Sequence, residues 1–379
     1  MIRLLNYSFI IKIKDHAIFY PVFSTLNYFW AFGFMSLCCL IFQIITGFLL
    51  TMYYSPNVNL AFYSIEHFMR DFSYGWLIRY FHSNGASIFF IIIYIHIAKG
   101  IFYKSYNKML LWITGFILWF LLMAVSFLGY VLPWGQMSYW GCMVITSLVT
   151  AIPYAGEYIL NGIWGGTKIS EITLMRIYSV HFLLPFILLS LSMYHILLLH
   201  VEGGSSPIGI ENFDCITFYP YFIIKDLFAL VFILLFLYLY LVFFNPNKLG
   251  DSLNYVPADR IKTPIHIVPE WYFLPFYCML RCIPNKVLGI LCMFFSMLAI
   301  AFFCIFPNSL IPTRFDIIYK YLFTLFVITC MNLEWLATQH MTDFIIDHSR
   351  WWTVIYFLYF IFVFINCIIE YIFIHNIKK

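Results

Sequence analysis

An all-α integral membrane protein is the fold class that the sequence predicts, on three observations. Of 379 residues, 63% are hydrophobic and only 10% charged, against about 25% charged in a soluble domain. The apolar runs are long and continuous rather than alternating, which selects helices over a transmembrane barrel. Eight such runs occur, and in lipid a helix satisfies all its own backbone hydrogen bonds.

Uncharged stretches place the elements in order. The first four crossings are expected at about Tyr28 to Tyr54, Tyr80 to Phe102, Met109 to Pro133 and Ile177 to Val201. The uncharged run after Pro133 is too long for one crossing, so a short surface helix is expected at about Gln136 to Thr150. The last four crossings fall at about Leu227 to Phe244, Val287 to Phe306, Ile317 to Leu333 and Trp351 to Ile369. Lys320 and Glu334 bound the seventh run tightly. The natural division is 1–210, holding four crossings, and 211–379, holding four more. Between the fifth and sixth crossings lies a long proline-rich loop, and long loops are often functional.

Eight crossings put both termini on one side. Lys and Arg in the first short connections favour that side as the inner one. The net charge of +4 gives no reason to expect a nucleic-acid partner. The ten cysteines are scattered, with no CxxC and no CxxCH, so they read as small buried hydrophobes. No cleavable presequence is expected in the first fifteen residues.

Ionisable residues inside crossings are costly and point to function. The second crossing contains His82 and His96, the fourth His181 and His195. The same fourteen-residue step separates both pairs, just under four helical turns, so each pair shares a face at two heights roughly 21 Å apart. Two such helices side by side can close each facing pair on one metal centre. Bis-imidazole haem fits better than zinc, which wants four close ligands. The plain alternative is that each histidine hydrogen-bonds a neighbouring helix. Gly33 and Gly47 on the first crossing, and Gly115 and Gly129 on the third, repeat the same step. Without a Cβ they would let a flat macrocycle approach the backbone, or simply pack helices. Arg79, Arg176 and Lys99 lie near these histidines and are candidate partners for propionates, or snorkelling anchors.

These residues also carry a resemblance. The stretches LIFQIITG (40–47), YGWLIRYFHSNGAS (74–87), GYVLPWG (129–135), RIYSVHFLLP (176–185) and PEWY (269–272) together resemble mitochondrial cytochrome b, the haem subunit of ubiquinol–cytochrome c reductase. The resemblance implies that the first four helices form a di-haem four-helix bundle. Two b haems would be held there, a low-potential one by His82 and His181 at the outer side and a high-potential one by His96 and His195 at the inner side. Gly47 and Gly129 would flank the outer haem, Gly33 and Gly115 the inner one.

The resemblance implies two quinone sites as well. An outer quinol-oxidising site would use Phe127, Tyr130, Gly141, Pro269, Glu270 and Tyr277. Glu270 has a chemical rationale, since quinol sheds protons as it sheds electrons and a carboxylate can accept one. Its rival role is to open a helix. An inner quinone-reducing site would use His200 and Asp226, with Lys225 and Ser205 or Ser206 nearby; His200 and Asp226 could equally be interfacial polar residues. The implied reaction is oxidation of ubiquinol coupled to proton translocation. Implied partners are a Rieske iron–sulfur protein, cytochrome c1 and accessory complex III subunits, in a homodimeric complex of the mitochondrial inner membrane.

Four features depart from the family pattern. Lys99 stands where relatives usually have arginine, so a bidentate contact becomes a point charge. Gly250-Asp251-Ser252 and Ala258-Asp259-Arg260 alter the long loop, and Gly203-Gly204 shifts the serine expected at the inner site. Two rivals remain at this stage. A di-haem anchor of another respiratory enzyme would not need PEWY, and a transporter with histidine proton relays would bind no chromophore.

Overall fold

Apolar length dictates the architecture. The computed structural model describes residue 14 and residues 18–209, 214–307 and 311–377, with side chains to residue 373. The expectation about the first fifteen residues, Lys14 excepted, and the division at 210 fall outside the described residues. Among the described residues eight helices are long and apolar enough to cross a membrane. The crossings are α1 (Ala31–Thr51), α3 (Gly75–Phe102), α4 (Met109–Val131), α7 (Glu171–Glu202), α8 (Phe218–Phe244), α10 (Lys286–Phe302), α11 (Ile317–Ala337) and α12 (Asp343–Ile377). Shorter helices join them: α2 (Ala61–Asp71), α5 (Gln136–Thr146), α6 (Gly156–Trp164) and α9 (Leu274–Arg281).

All eight expected crossings are present, but several begin earlier than the uncharged runs. The fourth starts at Glu171 rather than Ile177, because Ser170 and Thr173 form a reciprocal capping box. The fifth starts at Phe218 and carries Lys225 and Asp226 within it. The seventh runs on past Glu334 to Ala337. Charged side chains thus lie in the outer turns of these helices, Lys225 turned to the Leu26 carbonyl and Asp226 buried. The amphipathic α2, too polar to read as a crossing, and the short α6 and α9 were not expected.

Packing divides the crossings. α1 lies along α3, α4 lies along α7, and α1 also touches α7, while α11 packs on α12 and α9. A large apolar core joins these groups through Phe90, Trp119, Phe303, Tyr319 and Tyr359, all nearly or fully buried. Strand β1 (Pro21–Phe23) pairs antiparallel with β2 (Cys215–Thr217), Val22 opposite Ile216, and holds the segment before α1 against the start of α8.

Lys104, in the α3–α4 connection, adopts a left-handed backbone at φ 54°. Its buried amine donates to Asp316 at 2.7 Å and to Glu370 at 3.3 Å, and Asn366 bridges both carboxylates. The α3–α4 turn, the start of α11 and the end of α12 are thereby tied at one point.

Candidate functional site

The helix pairing brings the four histidines together in two sets. His82 on α3 faces His181 on α7, with ring centroids 6.3 Å apart and planes at 88°. Two imidazoles on opposite sides of one metal, each at about 2 Å, put their ring centres about 6 Å apart. His96 and His195 lie within electrostatic reach of each other further along the same helices. Pro185, inside α7, removes the backbone hydrogen bond to the His181 carbonyl, so the helix is weakened beside this histidine.

Each ring has its own glycine. A Cβ at Gly47 would come within 2.9 Å of His82 Cε1, and one at Gly129 within 2.6 Å of His181 Cε1. At Gly33 and Gly115 the corresponding approaches, to His96 and His195, are 3.2 Å. The glycines thus give room to the histidine rings themselves. The Nδ1 atoms are engaged: His82 with Thr46 Oγ1 at 3.0 Å, His195 with Thr114 Oγ1 at 2.9 Å and His181 with the Val125 carbonyl at 2.9 Å. A ring that donates through Nδ1 keeps the Nε2 lone pair for a metal.

A cavity of about 290 Å³ opens between His82 and His181 and runs to Glu270. Gly47, Gly129, Arg79 and Tyr130 line it together with Asp251 and Tyr255. At the other end of the bundle Lys99 Nζ lies 4.1 Å over the Trp30 ring, and Trp30 Nε1 is buried without a hydrogen-bond partner. Facing imidazoles with free Nε2 atoms, glycine-cleared rings, a mostly apolar cleft, cations, and an orphaned indole N–H suit two haems with propionates. Arg176 stands apart, donating to the Gly162 carbonyl at 2.5 Å on α6.

The PEWY segment is pinned to α3. Trp271 donates to Ser87 at 3.1 Å, Tyr272 stacks on Phe90 at 3.8 Å, and the Tyr94 hydroxyl donates to the Tyr272 carbonyl at 2.5 Å. Glu270 begins the turn Trp271–Phe273, but its side chain makes no cap bond and faces the cavity instead. Burial and the Asp251 charge push its carboxyl up to about 7, partly offset by the Tyr130 hydroxyl and Arg79. The long loop is stitched to α5: Gln136 N donates to the Val256 carbonyl at 2.9 Å and Ser138 N to Asn254 Oδ1 at 2.9 Å.

The remaining outer candidates lie outside the cavity wall. Phe127 packs against the apolar cluster around Trp134 and Tyr139. Gly141 has open space where a Cβ would project. The Tyr277 hydroxyl donates to the Ile267 carbonyl at 3.0 Å, two residues before Pro269. At the inner end His200 stacks on Tyr20 with centroids 4.1 Å apart. Asp226 is buried on α8, and Lys225 reaches back to the Leu26 carbonyl at 2.6 Å. Ser205 pairs with Ser105 at 3.0 Å, and Ser206 accepts from Ile208 N at 3.3 Å. Thr46, Thr114 and Trp30 carry no signal in the sequence, because none is an unusual residue type for its surroundings, and Asp251 stands out there only as a loop departure.

Comparison with known proteins agrees along nearly the whole chain. Residues 17–203 match the family Cytochrome b/b6/petB, and residues 257–357 match Cytochrome b(C-terminal)/b6/petD. Cytochrome b of Chondrus crispus is 42% identical over 363 residues, 95% of each chain. That of Neurospora crassa is 48% identical over 345 residues, 90% of this chain and 89% of the other. A chain of a solved hyperthermophilic respiratory Complex III superposes with a TM-score of 0.91 at 31% identity, covering 97% of this chain and 99% of that one. With both family regions matched and relatives of this similarity over nearly its full length, the chain belongs to the cytochrome b family.

Proposed function

We propose that His82 and His181 ligate one b haem and His96 and His195 a second, within the quinol–cytochrome c oxidoreductase of which this chain is the core subunit. In that enzyme quinol is oxidised at one face and quinone reduced at the other, with proton translocation. The observation that carries the ligand assignment is the face-to-face placement of His82 and His181 at 6.3 Å with their Nδ1 atoms tied elsewhere. Bis-histidine haems have no open iron position and supply one-electron transfer alone.

The chain's own residues divide the proton chemistry between two ends. At the outer end Glu270, half ionised near pH 7, accepts a proton from quinol, with Tyr130 and Arg79 beside it. Phe127, Gly141, Pro269 and Tyr277 shape the surroundings of that site. At the inner end His200 donates to a quinone carbonyl, with Asp226, Lys225 and the Ser205–Ser206 turn around it. Arg79 and Lys99 compensate propionate charge, and Arg176 acts at a distance by holding α6. A Rieske iron–sulfur protein takes one electron from each quinol towards cytochrome c1. Accessory subunits, a homodimeric assembly and the mitochondrial inner membrane complete the reading, with ubiquinone as substrate.

A reduced-minus-oxidised spectrum with a haem count tests the ligation. Two low-spin haems per chain, both removed by acid acetone, are expected; one haem or a high-spin signal contradicts it. The two-ended proton chemistry is tested by paired variants. Glu270→Gln should slow quinol oxidation but leave quinol reduction of the inner haem intact. His200→Ala with Asp226→Ala should instead let the inner haem accumulate reduced. Failure of both at one step would favour a single-site di-haem anchor.

A further inference from the structure

The tetrapeptide Ile-Thr-Gly-Phe occurs twice, at 45–48 in α1 and 113–116 in α4. In each copy the glycine faces Cε1 of a candidate ligand, His82 or His195. In each copy the threonine hydroxyl meets Nδ1 of that same ring, at 3.0 Å and 2.9 Å. Both hydroxyl protons are already committed, Thr46 to the Phe42 carbonyl at 2.9 Å and Thr114 to the Leu110 carbonyl at 2.9 Å. A hydroxyl whose proton is so used can only accept, so Nδ1 carries the ring proton and Nε2 stays free. Back-bonding of a threonine to its own helix is common, but alone it does not explain why both copies end on a histidine. His181, opposite His82, uses the Val125 carbonyl instead. Thr46 therefore serves the outer pair and Thr114 the inner.

We infer that Thr46 and Thr114 are positioning residues, each setting the tautomer, ring angle and electron donation of one axial histidine and hence the reduction potential of one haem. The inference rests on the bis-histidine ligation proposed above. A hydrogen bond accepted from Nδ1–H raises the basicity of the ligating nitrogen and favours the oxidised metal. Without the acceptor the ring donates less, and the potential moves positive. Beside His82 the Gln43 side-chain amide turns its nitrogen, not its oxygen, toward Nδ1 at 3.2 Å and accepts from Ala86 N with the oxygen. It offers Nδ1–H no second acceptor, so Thr46 serves His82 as Thr114 serves His195.

The test uses Thr114→Val and Thr46→Val in the intact complex, with the potentials of the two haems read separately from their optical bands. Thr114→Val should shift only the haem of His195 to a more positive potential. At fixed ambient potential its reduced-to-oxidised ratio should rise about five- to tenfold, a tenfold change being about 59 mV for one electron. Thr114→Ser should restore the parent value. Thr46→Val should shift only the haem of His82, in the same direction. Thr114→Cys, with a weaker acceptor of similar size, covers loss of haem in the valine variant and should give an intermediate positive shift. Unchanged potentials with haem retained, or equal shifts of both haems, would overturn the inference. A parent protein without two low-spin haems would instead overturn the ligation reading.

Discussion

The two ends of the four-helix bundle present similar ligands in opposite electrical settings. At the outer end His82 and His181 share their cavity with Glu66, Asp251 and Glu270, against Arg79. At the inner end Lys99 covers Trp30, Lys108 donates to the carbonyls of Glu202 and Gly203, and Lys225 reaches Leu26, with Asp226 buried nearby. A unit charge about 10 Å from a redox centre is worth about 1–2 kcal/mol at an effective dielectric of about 20. Acids disfavour an added electron and cations favour it. On the ligation proposed above, the haem at the acidic end would be the harder to reduce and the haem at the basic end the easier, with the difference set by the surroundings of two similar histidine pairs.

The harshest way to break this comparison is steric. Gly129→Val puts a side chain where a Cβ alone lies 2.6 Å from His181, whereas at Gly33 the gap to His96 is 3.2 Å. Gly129→Val should cost the outer haem and leave the inner one, giving close to one haem per chain. Gly33→Ala should retain most of both, because against a Cβ alone its neighbour need give only a few tenths of an ångström. Resolved spectra and a haem assay read both, and loss of the inner haem in Gly129→Val would reverse the assignment of ends.

Chemistry comes next in size. Glu270→Gln keeps the shape and removes the proton acceptor, and quinol oxidation should fall about 10²- to 10⁴-fold. The same group sets a smaller, graded effect. Its carboxyl titrates at about 7, and only the ionised form accepts a proton. Rates of quinol oxidation should therefore rise about tenfold per pH unit below that value and level off above it. In Glu270→Gln that slope should vanish, and its persistence would place the titrating group elsewhere.

The mildest change sharpens the electrical argument. Lys99→Leu removes one inner cation while preserving contact with Trp30. The inner haem should become harder to reduce, by about tenfold in its reduced-to-oxidised ratio, with the outer haem unmoved. An unchanged inner potential would mean that solvent screens this charge.

Much of this was legible in the sequence. The four histidines were, because an ionisable residue in an apolar helix is rare enough to notice and their shared spacing is a helical statement. The eight crossings were legible for the same reason of contrast. Their ends were not, since Glu171, Lys225 and Glu334 sit on helical turns that an uncharged-run rule cuts away. The role of Glu270 was ambiguous in sequence, as the Pro-Glu pair suits a helix start; its uncapped side chain facing the cavity is a tertiary fact. For Arg176, closeness in sequence to His181 did not reveal that α6 would offer it a carbonyl. Thr46 and Thr114 were hidden by their ordinariness, though the repeated Ile-Thr-Gly-Phe was a signal available to pattern comparison.

The tie at Lys104 bears on the order of synthesis. Its amine and the Glu370 carboxylate are separated by 266 positions in the chain. The ribosome makes the second partner 266 positions after the first, so the knot stays open while that stretch is made. Asp316 can engage Lys104 once α11 emerges, and the carboxylate of α12 joins them only when Glu370 is made. Removing one partner of a buried ion pair costs about 3–5 kcal/mol. Chains arrested just short of Glu370 are therefore expected to carry a loosely docked last crossing, which limited proteolysis of the nascent protein would reveal. The arrival of α12 is thus registered at a single buried point.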